Sequence, residues 1–230
     1  MRCFYLFCFL LGLQVSDRAY ADECTVFVHG LGRTSNSLNF MSREVNKLGH
    51  LVVNKTYPSR YFTIEKLTSD YIPKWVKLCK GLDKVNFVTH SMGGIMVRYY
   101  LERIEKPDNL GRVVMMAPPN HGSEIVDKYG GFSSLVLGPA NKQLGTSSDS
   151  LPNRLGPADY SLGIIAGNRT ANPLSYLIFD EPNDGKVTIE SSKLEGMTDH
   201  TVLPYTHTFM MERREVVDNV IRFLRRGEFK

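Results

Sequence analysis

The sequence predicts an α/β fold: a mostly parallel central sheet with helices on both faces and no large cap domain. Three observations carry that reading. Short apolar runs rich in β-branched residues alternate with segments whose apolar residues fall at helical spacing, the βαβ series that builds parallel sheets. The stretch "NFVTHSMGGIMVRYYL" (86–101) passes from a strand pattern through Ser-Met-Gly-Gly straight into a helix pattern. A chain of 230 residues is long enough for one sizeable core, so residues 22–230 read as a single domain.

Taken in order, Cys24 to Val28 is a first β-rich run, followed by the turn-like "HGLGRTSNS". Leu38, Met41, Val45 and Leu48 sit at helical spacing. "HLVVNKTYPS" reads as a short buried strand entering a loop. From Ile64 to Leu82 a second helix pattern places Leu67, Tyr71, Trp75, Leu78 and Leu82 on one face. Pro73 lies inside it and is expected to kink the helix or delay its start. Lys84 to Thr89 is a strand, Met92 to Ile104 a helix, and Gly111 to Met116 a strand closed by Pro118-Pro119. One or two short helices joined by Gly/Ser/Pro-rich loops are expected between His121 and Tyr160. Leu162 to Ala166 is another buried strand, and Gly167 to Asn183 is loop-like. His200 to Tyr205 is the last strand, and Met211 to Arg226 an amphipathic helix.

The N-terminus is of another kind. An apolar run, Cys3 to Leu13, precedes Ala19-Tyr20-Ala21, a small-x-small cleavage pattern. The run is shorter than the ~20 residues a membrane span needs. Residues 1–21 are therefore expected to be a signal peptide, with the mature chain exported to the periplasm or outside. Net charge is +4 with acids and bases interspersed, and no basic stripe argues for a nucleic-acid partner.

The chemistry concentrates at His90-Ser91-Met92-Gly93-Gly94. A serine between a strand and a helix is either a simple helix cap or a nucleophile exposed on a strained turn. The second reading needs small neighbours two residues to either side. Gly93 meets that need, but Thr89 stands where the usual pattern has Gly. The loop "VFVHGLGRT" (26–34) follows the first strand and leaves backbone N–H groups at the carboxyl edge of the sheet. Acyl transfer requires such donors for the developing oxyanion, and losing one costs roughly 3–4 kcal/mol of barrier. Leu31 and Met92 are the candidate N–H donors. A serine also needs a base, and the base an acid to hold its tautomer, in the order Ser, Asp/Glu, His. His207, on the loop after the last strand, fits better than His200, which opens that strand. Among Asp180, Glu181, Asp184 and Glu190, Asp184 in Asn-Asp-Gly-Lys is preferred as the acid, with Asp180 next.

With these residues in view the chain resembles the α/β-hydrolases, and among them the small bacterial triacylglycerol lipases and carboxylesterases. The resemblance rests on His29-Gly30-Leu31-Gly32, the Ser91 element, "MMAPPNHGSE" (115–124), Asn183-Asp184-Gly185 and Thr206-His207-Thr208, and spans about Cys24 to Phe223. It implies ester hydrolysis through a serine acyl-enzyme, without metal or cofactor. The departures are Thr89 and an acid lying far beyond the Leu162–Ala166 strand, which implies an insertion.

In a parallel sheet the strands all begin at one edge. Cys24 starts a strand and Cys79 ends the helix returning to that edge, so a Cys24–Cys79 disulfide is expected opposite the active site. Closing about 55 residues would stabilise by roughly 4 kcal/mol. Ile125, Val126, Tyr129, Phe132, Leu135, Val136 and Leu137 either wall an acyl site or pack down as core. The expected partner is a small-molecule or lipid ester, with transient contact at a lipid interface. Acyl transfer to another alcohol, thioester or amide cleavage, and a non-catalytic binding role remain as alternatives; the full Ser, Asp and His set argues against the last.

Overall fold

The computed structural model describes residues 22–171, 175 and 177–229, and of residues 130–133 the backbone only. The expected leader, 1–21, lies outside the described residues. Six strands form one sheet in the order β2-β1-β3-β4-β5-β6, where β1 is Glu23–Val28, β2 Leu51–Asn54, β3 Lys84–His90, β4 Leu110–Met116, β5 Leu162–Gly167 and β6 Asp199–Leu203. Every pairing among them is parallel. The order reverses after β2, which sends later crossovers to the other side and places helices on both faces.

Burial on both faces explains why the strands read as apolar runs rather than alternating ones. Val26, Phe87, Val113 and Ile164 face α2 (Ile64–Val76) and α3 (Met92–Arg103), packing with Trp75, Ile95 and Tyr100. Phe27, Val88, Val114 and Ile165 face the other way. They meet Met41 and Val45 of α1 (Asn39–Asn46) and Val217, Val220 and Phe223 of α8 (Arg214–Arg226).

The departures from the sequence reading are local. Pro73 neither delays nor ends α2, which runs through it. The chain tightens into a 3-10 turn at Lys77–Cys79. That change of period turns Leu78 out to solvent, off the face its spacing suggested. Between His121 and Tyr160 there are three helices: α4 (Glu124–Leu137), α5 (Pro139–Lys142) and α6 (Leu151–Arg154). A further short helix, α7 (Ile189–Ser192), precedes β6. A 3-10 turn at Met210–Glu212 precedes α8, so that helix starts later than its apolar pattern did.

At the amino edge of the sheet a disulfide joins Cys24 to Cys79, with Cα atoms 5.6 Å apart. Beside it Asn86 donates to the Glu23 carboxylate at 2.8 Å and accepts from the Arg112 N–H at 2.7 Å, across an irregularity in the β3–β4 register. Among the described residues no helix is long and apolar enough to cross a membrane.

Candidate active site

The carboxyl edge is where β3 hands over to α3. Ser91 occupies the turn with φ 54° and ψ −127°, a left-handed conformation that a non-glycine residue holds at a cost of about 1–3 kcal/mol. The next strand shares the strain, since Ala117 also has a positive φ of 48°. Backbone bonds hold the turn: Ser91 N–H donates to Met116 O and Gly94 N–H to Ser91 O, each at 2.9 Å. The helix passes so close to β1 that a Cβ on Gly93 would lie 2.3 Å from Val28 O. Only glycine fits there. A Cβ on Gly94 would press on Met115 Sδ and Pro118 Cβ, each at 3.1 Å, while its 3.4 Å to Thr89 Oγ1 is ordinary contact. Thr89 keeps a buried hydroxyl without a hydrogen-bond partner among the described residues.

His207 stands between Ser91 and Asp184. Its Nε2 is 3.0 Å from Ser91 Oγ, and its Nδ1 is 2.8 Å from Asp184 Oδ2. With Nδ1–H donating to the carboxylate, Nε2 presents its lone pair to the serine hydroxyl. Asp184 is almost wholly buried. Its other oxygen, Oδ1, accepts N–H groups from Lys186 (2.9 Å) and Val187 (2.8 Å), an Asx turn that aims the carboxylate. The backbone repeats the link, because His207 N–H donates to Asp184 O at 2.9 Å. The competing residues lie elsewhere. Asp180 and Glu181 are exposed, Glu190 pairs with Lys193, and His200 lies near the start of β6 against Ser192 Oγ at 3.4 Å. His121 bonds Asn153, and His50 bonds Thr25 on the amino edge.

Two more histidines frame the site, and sequence reading gave them no role. His29 is fully buried and stacks on Tyr57 with ring centroids 4.0 Å apart. Its Nδ1–H donates to Gly30 O at 2.9 Å, its Nε2 accepts from Tyr57 N–H at 3.3 Å, and Tyr57 OH donates to His29 O at 2.6 Å. Burial pulls its pKa down to about 4, which keeps this set neutral and fixed. The result is a shaped loop. Gly32 N–H is taken by Ser59 Oγ (2.9 Å) and Arg33 N–H by Gly30 O (3.2 Å), while Leu31 N–H has no acceptor among the described residues. Met92 N–H, first in α3, is likewise unpaired, as helix N-termini leave it. His90, also buried, donates Nε2–H to His207 O at 2.9 Å and so ties the serine turn to the histidine loop. Burial, and then the neighbouring His207, hold its pKa well below the usual imidazole range. The residue types "HG" and "HS" in the two motifs are the signal that could have pointed to both.

Over Ser91 lies a cleft of about 150 Å³. Leu31, Ile125, Val126, Leu137 and Leu144 give it an apolar wall, and Arg33, Ser123 and Lys186 a polar one. Ile125, Val126 and Leu137 thus face the cleft. Tyr129, Leu135 and Val136 are exposed instead, and the Phe132 side chain lies outside the described residues. Arg98 ties α3 to the segments that follow β4 and α6. Buried in α3, it donates to Asn120 O and Leu155 O, both at 3.0 Å, and Asn120 in turn donates to Ser192 O at 2.8 Å.

Comparison with known proteins agrees with the architecture. A family model described as alpha/beta hydrolase fold matches residues 58–136, which include β3, the serine turn, α3 and β4. The mature form of Bacillus licheniformis lipase BlEst2 superposes with a TM-score of 0.64 at 19% identity, over 90% of this chain and 93% of that one. Its propeptide form gives 0.68 at 22% identity, over 90% of this chain and 51% of the other, so the chain spans about half of that form's length. Phospholipase PlaB from Legionella pneumophila gives 0.70 at 14% identity, over 90% and 61%. No curated protein matches the sequence. The chain has the α/β-hydrolase fold.

Proposed function

We propose that this α/β-hydrolase-fold chain is an exported serine carboxylic-ester hydrolase of the esterase/lipase type. The observation that carries the reading is the bridging imidazole: His207 reaches Ser91 Oγ at 3.0 Å through one nitrogen and Asp184 at 2.8 Å through the other. Neutral, in the tautomer that Asp184 favours, it can accept the serine proton as the hydroxyl attacks an ester carbonyl. The imidazolium then formed is stabilised by the carboxylate and protonates the leaving alcohol. Leu31 and Met92 N–H groups, fixed before any substrate arrives, receive the oxyanion. Water repeats the sequence on the acyl-enzyme and frees Ser91. Both BlEst2, a lipase, and PlaB, a phospholipase, carry names consistent with ester cleavage.

Export through a leader at residues 1–21 is part of the proposal. The Cys24–Cys79 disulfide supports it, because such bonds persist in oxidising compartments. N-terminal sequencing of the exported protein should start near Asp22.

The activity test is a panel of p-nitrophenyl esters of increasing acyl length, run with and without added alcohols. Turnover with release of free acid is the expected result. Acyl products formed mainly on the added alcohol would reassign the same residues to acyl transfer. A folded protein inert to every ester and thioester would favour a binding role.

A further inference from the structure

The cleft over Ser91 is lopsided in charge. Arg33 and Lys186 line it, together with His90 and His207, and no carboxylate does. Among the described residues neither cation forms a salt bridge. The acid acting on Lys186 is Asp184, whose oxygens are already taken by His207 and two backbone N–H groups. Desolvation lowers the pKa of the Lys186 ammonium, and Arg33 pushes it the same way. Lys186 is exposed and Arg33 half-buried, so like charges are gathered along the open polar wall of the cleft without a carboxylate partner, an arrangement that favours an incoming anion.

Both cations belong to the loops that carry the chemistry. Arg33 follows the oxyanion loop, and its guanidinium donates to Thr208 O at 3.2 Å, one residue past His207. The Lys186 backbone is clamped at both ends, its N–H on Asp184 Oδ1 (2.9 Å) and its carbonyl on Ser123 Oγ (2.6 Å). The Arg33 guanidinium and the Lys186 backbone are therefore placed by the same loops that bring Ser91, His207 and Asp184 together.

We infer that Arg33 and Lys186 form an anion subsite, so that the ester taken by this cleft carries a carboxylate or phosphate group close to its scissile bond. The inference rests on the ester-hydrolase reading of Ser91. Arg33 supplies a planar fork suited to such groups and Lys186 a point charge. The wall formed by Ile125, Val126 and Leu137 takes the apolar part, which makes the substrate amphipathic.

Two matched pairs locate the anion. p-Nitrophenyl hemiglutarate against p-nitrophenyl butyrate tests the acyl side. A 1-acylglycerol 3-phosphate against the same 1-acylglycerol tests the alcohol side. For the wild-type enzyme at low salt, kcat/KM for the charged member should exceed its neutral match by about tenfold or more in at least one pair. That ratio should shrink in 0.5 M salt, where the Debye length is only a few ångströms (~4 Å). Arg33→Gln and Lys186→Gln should each lower the ratio severalfold, and inorganic phosphate should compete with the neutral ester in the wild type. Neutral esters preferred in both pairs, or no competition by phosphate, would overturn the subsite without any variant having to fold. Equal losses on charged and neutral esters in the variants would assign the cations to the oxyanion and overturn it as well. If no ester is cleaved and Ser91 resists a fluorophosphonate, the failure lies with the hydrolase reading instead.

Discussion

The two ends of β3 are built on opposite terms. At the amino end Asn86 is buried with its donors and acceptor engaged, Lys84 pairs with Glu23 at 3.0 Å, and the disulfide closes over them. At the carboxyl end, a few residues on, Thr89 Oγ1 and His90 Nδ1 are buried without partners among the described residues. There Ser91 sits at positive φ and two cations face a cleft without a counter-ion. One end is satisfied and cross-linked; the other holds strain and unpaired polar groups around the proposed nucleophile. On the proposed function the site receives a transient charge and keeps donors free for it, and a rigid opposite edge lets the fold tolerate them.

Changes at either end should separate activity from stability. Ser91→Ala is expected to lower ester turnover by about 10⁴-fold or more with little change in melting temperature, measured by p-nitrophenyl release and calorimetry. Cys24→Ala with Cys79→Ala should do the reverse: unfolding free energy falls by roughly 4 kcal/mol in the chain-entropy model, while kcat/KM well below the new melting point stays the same. Gly93→Ala strikes the junction between the ends. Its Cβ would meet Val28 O, so stability should drop by about 1–3 kcal/mol and turnover with it, because the proposed oxyanion loop follows Val28.

Acid should act on the carboxyl end. His29 has a pKa of about 4 when folded against 6.5 ordinarily. Between those values the unfolded chain takes up a proton that the folded one refuses, so stability falls as pH drops. At pH 5 the loss from His29 is about 2 kcal/mol relative to neutral pH, and buried His90 adds to it in the same direction. Urea unfolding at pH 7.5 and pH 5.0 measures the sum. The smallest effect should come from Thr89→Val, which replaces an unpaired buried hydroxyl by a methyl group and should raise stability by about 1 kcal/mol.

Much of this was legible in the sequence. Strands buried on both faces are continuous apolar runs, and the serine turn is local, so residues 86–101 carry it whole. Asp184 is preferred to Asp180 in the sequence because Asn-Asp-Gly-Lys reads as a tight turn, though the sequence leaves both open; in the structure it is Asp184 that lies 2.8 Å from His207 Nδ1. What stayed hidden depends on long-range pairing. The bond from His90 to the His207 carbonyl joins residues 117 apart, and nothing near Tyr57 announces its stack on His29. Arg33 and Lys186 line one cleft only because the loop after β1 and the turn at Asp184 converge there. Helix α4 was obscured by Gly130-Gly131, whose low helix propensity reads as a break although the helix runs from Glu124 to Leu137.

The most direct test of the Ser91–His207–Asp184 arrangement is mass spectrometry of the folded protein after brief treatment with a fluorophosphonate, followed by peptide mapping. The expected result is one adduct on Ser91, formed at least a hundredfold more slowly in His207→Asn. An adduct on another residue, no adduct at all, or labelling of Ser91 at an unchanged rate without the imidazole would contradict it.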